Sequence, residues 1–335
     1  MASTSPLITI AIPTYNRSRY LRCLLDSLAP QLRPGSQHNG LVELLVSDNA
    51  SSDDTQATLD EHRHQGLVFR NIRNHTNLGA DGNIAQCFTE ASGQYVWIIG
   101  DDDVVLPGGI RILIDLLLRE DLDLVHLRSR TLTGDPVLDQ ACVPSPRIEL
   151  IDDARTFALR THVFLTFITG NVINKKRVMA RLHQPFSDLI GTSLVQLGWT
   201  YPALREFRKG ACILDPIIAA SAEARGGYPL ITVFGCNLKR ITETWLVEPA
   251  LTRIVLNGTL QVFFPPFVLA MRLGEGAFAQ AEYADLLHAL YSNKRRYYIF
   301  IYPLVRLPAP AARAWFFLCR VINKIDKAIG NPMLK

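Results

Sequence analysis

Apolar runs of strand length alternate with helix-periodic stretches along the first 127 residues. Residues 7–12 (LITIAI) are β-rich and closed by Pro13, and Tyr20, Leu21, Leu24, Leu25 and Leu28 then mark one face of a helix. Residues 41–46 form a second strand ending in Ser47 and Asp48, and the SSDDT that follows offers N-cap residues and first-turn acids for a helix to about His64. A weaker strand covers 68–72, a helix runs from Gly82 or Asn83 to Ala91, and 95–99 reads as a fully buried strand. Pro107 opens a helix with Ile110, Leu113, Ile114 and Leu117 on its buried side, and 122–127 is a fifth strand. Strands separated by helices at this spacing mean βαβ units and a mainly parallel α/β sheet.

The fourth strand empties into Asp101, Asp102 and Asp103 at its carboxyl end, where ligands bind in open α/β sheets. Three neighbouring carboxylates need water, a cation or basic side chains to neutralise them. Hard oxygen ligands suit Mg²⁺ or Mn²⁺ held for a diphosphate, and the plain alternative is a solvated acidic turn. No G-x-G-x-x-G follows the first strand and no P-loop motif occurs, so another phosphate device is required. Pro13, Thr14, Tyr15 and Arg17 stand at the first strand's tip and Asp48 and Asn49 at the second's. An aspartate there accepts from the imide N–H of uracil or thymine or from the guanine edge, which cytosine does not offer. Asp53 and Asp54 read as helix caps, and His62 and His64, at i, i+2, read as a solvated face and not a metal pair.

Composition narrows the field. The 335 residues are 48% hydrophobic and 20% charged with a net charge of +4, which fits a globular protein and gives no basic stripe for nucleic acid. Six cysteines lie far apart without a C-x-x-C pair, which points to a reducing cytosol.

PTYNR after the first strand, SDNASSDDT after the second, NHTNLGADGN before a helix, and GQYVWIIGDDDVVLPGG together resemble the successive signatures of family-2 glycosyltransferases, within them the bacterial O-antigen and capsule sugar transferases of the abequosyltransferase type. The resemblance covers about the first 130 residues. It implies an α/β GT-A nucleotide-diphospho-sugar transferase fold, a mostly parallel Rossmann-like sheet flanked by helices with a helical C-terminal extension. It further implies that Tyr15, Arg17 and Asp48 hold the nucleoside, that Asn77, Gly79 and Asn83 flank the nucleotide pocket, and that the aspartates form a D-x-D metal site for Mn²⁺ or Mg²⁺. Many relatives carry an aspartate where this chain has Gly100. That register places the metal ligand at Asp102, Asp101 nearer the sugar or ribose, and Asp103 beside the ligand. A UDP-, dTDP- or GDP-linked donor, a lipid-linked or oligosaccharide acceptor and inversion at the anomeric carbon follow as expectations. Other readings are a sugar nucleotidyltransferase or an inactive sugar-nucleotide-binding subunit at the membrane.

The second half reads as an irregular stretch over 127–150, a strand over 164–173 with Gly170 inside, and a basic helix start at Lys175. By the resemblance, family-2 enzymes usually supply a general base in this region as a Glu-Asp pair or a single carboxylate. Here no such pair appears, and Asp188 stands closest to the expected place, with Asp152, Glu206 and Asp215 as alternatives. The chain thus divides into a nucleotide-sugar half (1–130), an acceptor half (131–240) and a helical basic and aromatic region (241–335). Gly226, Gly227 and Tyr228 read as a loop, and residues 254–271, apolar but broken by Asn257, Gly258, Pro265 and Pro266, as a buried or interfacial helix pair. Cations outnumber acids nine to one from Leu286 to Lys335. Over 314–329, Arg320, Asn323, Lys324 and Lys327 project to one side and Trp315, Leu318, Val321, Ile322, Ile325 and Ile329 to the other. This basic amphipathic helix predicts peripheral association with an anionic membrane, on the inner face of a bacterial cell membrane.

Overall fold

The structure, a computed structural model, describes residues 5–33, 35, 38, 40–132, 144–182, 184–221, 228–275 and 282–330. It separates into two compact units, Met1–Ala154 with Leu165–Ala222, and Arg155–Phe164 with Glu223–Lys335. The strands on either side of residue 130 therefore share one unit, and the helical unit begins at Glu223 and takes in an earlier segment.

In the first unit the strands are β1 (Ile8–Thr14), β2 (Val42–Asp48), β3 (Arg70–Arg73), β4 (Tyr95–Ile98), β5 (Val104–Val105), β6 (Leu124–Leu132), β7 (Ile148–Ile151), β8 (Asn171–Asn174) and β9 (Gly210–Ser221). They join in the order β3-β2-β1-β4-β8-β6-β9-β5, with β7 on β9. β3, β2, β1 and β4 pair in parallel, as do β6 and β9, while β8, β5 and β7 run antiparallel to their neighbours. The parallel part puts the carboxyl ends of β1, β2 and β3 side by side, with Thr14 opposite Asp48 and Asp48 opposite Arg73. The helices are α1 (Ser18–Leu32), α2 (Thr55–His64), α3 (Gly79–Glu90), α4 (Gly109–Arg119), α5 (Ala154–Thr161, in the second unit from Arg155), α6 (Lys175–Met179) and α7 (Leu197–Arg205). Ile8, Ile10 and Ile12 of β1, Leu21, Leu24, Leu25 and Leu28 of α1, and Tyr95 and Trp97 of β4 share one buried core.

Several local expectations change. Part of 127–150 is sheet, because β6 continues to Leu132 and β7 starts at Ile148; residues 133–143 lie outside the described residues. Residues 164–173 hold two short 3₁₀ turns before β8, and the turn at Ile168–Gly170 has a purpose: Thr169 O accepts the Trp97 indole N–H at 2.8 Å. His62 is not on a solvated face but 1% exposed, with its ring nitrogens at Thr58 O and the Asp26 carboxylate. Asp53 serves two helix starts, accepting from Ser18 N at 2.9 Å and Thr55 N at 3.1 Å, whereas Asp54, the N-cap of α2, makes no side-chain cap. Gly93 lies where backbone leaves no room: a Cβ there would stand 2.5 Å from Thr9 N, 2.7 Å from Ile8 C and 2.8 Å from Tyr95 O. Gly93→Ala is expected to cost about 2 kcal/mol or more, because no flexible side chain is present to yield. An unchanged urea midpoint in the variant refutes that.

The second unit is helical, with α8 (Leu238–Trp245), α9 (Pro249–Gly258), α10 (Phe264–Leu273), α11 (Tyr283–Tyr291), α12 (Tyr302–Arg306) and α13 (Ala309–Ala328). Gly226 and Gly227 lie outside the described residues. The expected helix pair at 254–271 is one 25-residue run, Pro249–Leu273, in which a π-helical segment, Thr259–Phe263, widens the helix just before Pro265 and Pro266. That run is long and apolar enough to cross a membrane, yet 61% of its most apolar window is buried inside the protein, and it carries the buried Asn257 and Gln261. Another π-segment, Tyr297–Ile301, precedes Pro303 in the same way. Both sites leave carbonyls without their helical donors, and α13 supplies them. Asn323 Nδ2 donates to Gln261 O at 3.0 Å and Trp315 Nε1 to Ile299 O at 2.7 Å, four residues before Pro265 and Pro303 respectively.

Candidate active site

At the carboxyl edge of the parallel strands, the three aspartates are held by different partners. Asp101 is 3% exposed; its Oδ2 accepts the Thr14 hydroxyl at 2.8 Å and its Oδ1 accepts Arg17 Nη1 at 2.8 Å. Arg17 Nη2 reaches Asp102 Oδ2, also at 2.8 Å, so one guanidinium bridges two carboxylates. Asp103 is buried, with Oδ2 accepting the Thr169 hydroxyl and Oδ1 accepting Ser221 N at 3.0 Å. Asp102 Oδ1 is therefore the oxygen of the triplet that accepts nothing from the described residues. Gly100 widens the space beside it: a Cβ on Gly100 would lie 3.1 Å from that oxygen.

Burial raises the Asp101 pKa to about 7, against the pull of Arg17 and Thr14, and raises that of Asp103 to about 6 despite the Thr169 hydrogen bond. Partial burial opposes the charge on Arg17, but Asp101 and Asp102 outweigh it and hold the guanidinium above its ordinary pKa. Arg17 also lies over the Tyr20 ring, 4.8 Å from its centroid.

The strand-tip residues form a closed scaffold. Asp48, fully buried, accepts Ser51 N at 2.9 Å on Oδ1 and the Gln56 amide on Oδ2, with Arg73 Nε at 3.7 Å. Asn49 donates to Asn77 Oδ1 and Gly79 O and accepts from Asn74 and Leu78 N, which fixes the turn into α3. Asn77 Oδ1 accepts Gly79 N at 2.8 Å, and Gly79 has φ +76°, a backbone that suits glycine. Asn83 is buried, donating to Ser47 O and Thr14 O and accepting the Ser47 hydroxyl. Pro13 pairs with Ser47 across β1 and β2, and Tyr15 projects 42% exposed at the edge. Asp48, Asn49, Asn77 and Asn83 thus come together, but with protein partners of their own.

The carboxylates considered for the general base spread out. Asp152 follows β7 next to the level where Ile151 meets Gly210, and Glu206 caps the end of α7; both lie at the amino edge of the parallel strands, away from the triplet. Asp215 is held by Arg147, which keeps its pKa down at about 2. Asp188 is exposed on the 3₁₀ turn Phe186–Leu189, whose Phe186 meets Phe88 and Trp199 edge-on near the C-terminal end of α3. The chain then runs back along α3 until Ser193 N and Val195 N donate to Asp81, in the first turn of that helix. From Phe88 to Asp81 is about 10 Å along the helix axis. Ser193, with φ +60°, is hence the residue held beside the strand tips. Asp81, Thr169 and Gln56 escaped the sequence reading because an acid in a first helical turn, a threonine in an apolar run and a helix glutamine each have ordinary local roles.

A sheet whose parallel strands end at an acidic tip bridged by an arginine, flanked by helices, is the architecture of the GT-A fold. The profile of glycosyl transferase family 2 matches residues 9–179, and the chain belongs to that family. Among curated proteins it is 39% identical over 110 residues to abequosyltransferase RfbV of Salmonella typhimurium, covering 32% of this chain and 31% of the relative. It is 29% identical over 113 residues to the GalNAc(5)-diNAcBac-PP-undecaprenol beta-1,3-glucosyltransferase of Campylobacter jejuni, covering 32% and 33%. The matched stretch thus spans about a third of these relatives. The fold is similar to S. aureus TarS 1–349 in complex with UDP-GlcNAc, with a TM-score of 0.60 at 16% identity over 96% of this chain and 92% of that one. It is also similar to the mannosyltransferase PcManGT of Pyrobaculum calidifontis in complex with GDP-Man and Mn²⁺, with a TM-score of 0.52 at 17% identity over 97% and 88%.

Proposed function

We propose that this protein transfers a sugar from a nucleotide-diphosphate donor to an acceptor hydroxyl, inverting the anomeric carbon. The observation that carries the reading is the asymmetric triplet: two aspartates tied into the scaffold, and Asp102 with one open oxygen next to a bridging arginine. No cluster of three metal-ligating side chains occurs among the described residues, which fits a cation held by one carboxylate and the donor's own phosphates. Asp102 Oδ1 would hold that Mn²⁺ or Mg²⁺, and Asp103, with both oxygens engaged, would support the turn and not bind it. When bound, the cation neutralises charge on the departing diphosphate. Arg17 meets the same diphosphate from the β1 side. Tyr15 at the edge offers a ring to the nucleoside, and Asp48 reads the base if the Gln56 amide gives way to an imide N–H. Asn49, Asn77, Gly79 and Asn83 shape the pocket wall.

Asp188, the exposed carboxylate in the segment leading to Ser193, is proposed as the base that takes the acceptor proton. The acceptor is proposed to be a lipid-linked oligosaccharide in surface polysaccharide synthesis, by analogy with the polyprenyl-linked substrate named for the Campylobacter relative. A thermal-shift screen of UDP-, dTDP-, GDP- and CDP-sugars with and without Mn²⁺ tests the donor. One donor is expected to raise the midpoint more with the metal than without, since stabilisation reaches about 2.7 kcal/mol at a hundred times Kd. Absence of any shift across the four refutes the donor reading. Asp188→Asn is expected to keep that shift and to lower transfer at least about a hundredfold. Transfer at the wild-type rate removes Asp188 as the base, and a shift with no transfer in either protein indicates a binding subunit.

A further inference from the structure

The helix α13 has three faces where a docked helix needs only two. Ala312, Trp315, Phe316, Cys319, Ile322, Asn323 and Asp326 turn inward. Asp326 is 2% exposed and accepts Gln261 Nε2 at 3.0 Å, so the only acid of the helix is hidden. Beside this face, Arg313, Arg320, Lys324 and Lys327 follow one another at spacings of seven, four and three, which puts them in one row. On the remaining side, Phe317, Leu318, Val321, Ile325 and Ile329 are exposed, Phe317 by 67%, Ile325 by 56% and Ile329 by 66%. The amphipathic division expected from sequence is thus refined: Trp315, Ile322 and Asn323 belong to the docked face, and a second apolar row points away from the protein.

That outward row does not end at the helix. Trp315 borders it and is bonded to Ile299 O, and Ile299, Tyr298 and Tyr302 are each more than a third exposed. The Tyr298 and Tyr302 rings lie 5.5 Å apart, and Arg306 sits 5.9 Å over Tyr302. Arg320 and Lys324 form no ion pair among the described residues. Aliphatic and phenyl side chains facing outward, tyrosines at the margin and cations along one flank match the layers of a bilayer interface: acyl chains, carbonyl region and headgroup phosphates.

We propose that α13 lies flat on an anionic membrane, with Phe317, Val321 and Ile325 inserted and the Arg313–Lys327 row against phosphates. For an enzyme drawing on nucleotide sugars, that surface is the cytoplasmic leaflet, and it presents the lipid-linked acceptor proposed above. The proposal itself rests on the helical unit alone, so it stands or falls separately from the transferase reading. A second copy of the chain is the rival occupant. Its weakness is the basic row, which would face its own like charge in a symmetric pair.

The test uses the full chain in flotation with phosphatidylcholine vesicles, with and without phosphatidylglycerol. Removing residues from Ser292 onward is unsuitable, because Tyr297, Phe300, Ile301, Leu304 and Cys319 belong to the unit's core. Phe317→Glu with Ile325→Glu is expected to abolish binding without lowering the thermal midpoint or the donor-induced shift. Each of Arg320→Gln and Lys324→Gln is expected to weaken partition about fivefold at low salt and to leave salt sensitivity reduced. The proposal is overturned if wild type stays with the pellet at low salt, if the double glutamate variant floats like wild type, or if wild type sediments as a dimer that the same substitutions dissociate.

Discussion

Asp102→Ala is expected to lower transfer by about a thousandfold, roughly 4 kcal/mol of transition-state stabilisation, while leaving the thermal midpoint of the donor-free protein within a degree or two. The two halves of that expectation have different sources. Asp102 is the most accessible of the three carboxylates, and its protein partner is Arg17, itself partly exposed, so the lost ion pair contributes little to folding. Arg17 also keeps Asp101 after the change. The oxygen removed is the one left open toward the space beside Gly100. In the variant the donor shift should lose its Mn²⁺ dependence. Turnover near wild type, or full wild-type activity in excess chelator, excludes Asp102 as a metal ligand.

The first strands of the sheet were legible in the sequence because their signals are local. Residues 7–12 and 41–46 are apolar runs of strand length between helices, and the structure makes both into strands that run on through Pro13 to Thr14 and through Ser47 to Asp48. The acidic tip at Asp101–Asp103 was legible for the same reason. What was not legible depends on partners far along the chain. That Asp103 is a turn support follows from Thr169 and Ser221, 66 and 118 residues away. That Arg17 bridges Asp101 and Asp102 needs β1 and β4 to be neighbours, which spacing suggests but does not orient.

The placing of Asp188 was harder to read for a related reason. Where Asp188 stands is set by the packing of Phe186 on Phe88 and by the bond from Ser193 N to Asp81, partners that lie far earlier in the chain. In the helical unit, Pro265 and Pro266 suggested a break, and Pro303 stands in a similar place. The helices continue through them because π-turns widen the backbone and α13 donates to the carbonyls left open, a compensation that resides in Asn323 and Trp315 and not near the prolines.

Arg17→Ala should produce a loss of stability that depends on pH. Asp101 is buried, and with Arg17 beside it its pKa already stands at about 7, above the 3.8 of an ordinary aspartate. A carboxyl group raised in this way stabilises the folded state fully below its unfolded pKa, and the contribution is lost as pH rises through its folded value. Asp103, raised to about 6, acts in the same direction. In chelator and without donor, wild type is therefore expected to be more stable at pH 5 than at pH 8 by these two groups. Removing the guanidinium raises Asp101 further. At pH 5 the carboxyl is already protonated and the variant should unfold close to wild type. At pH 8 folding must either bury an unpaired charge or take up a proton, and the cost should reach about 2 kcal/mol, less than for a fully buried pair because Arg17 is 37% exposed. Arg17→Lys should recover part of this, since it restores the charge without the two-pronged bridge. An equal loss at both pH values would instead assign the effect to the packing of Arg17 on Tyr20, and no loss at pH 8 would mean that water reaches Asp101 and neutralises the strand tip without the arginine.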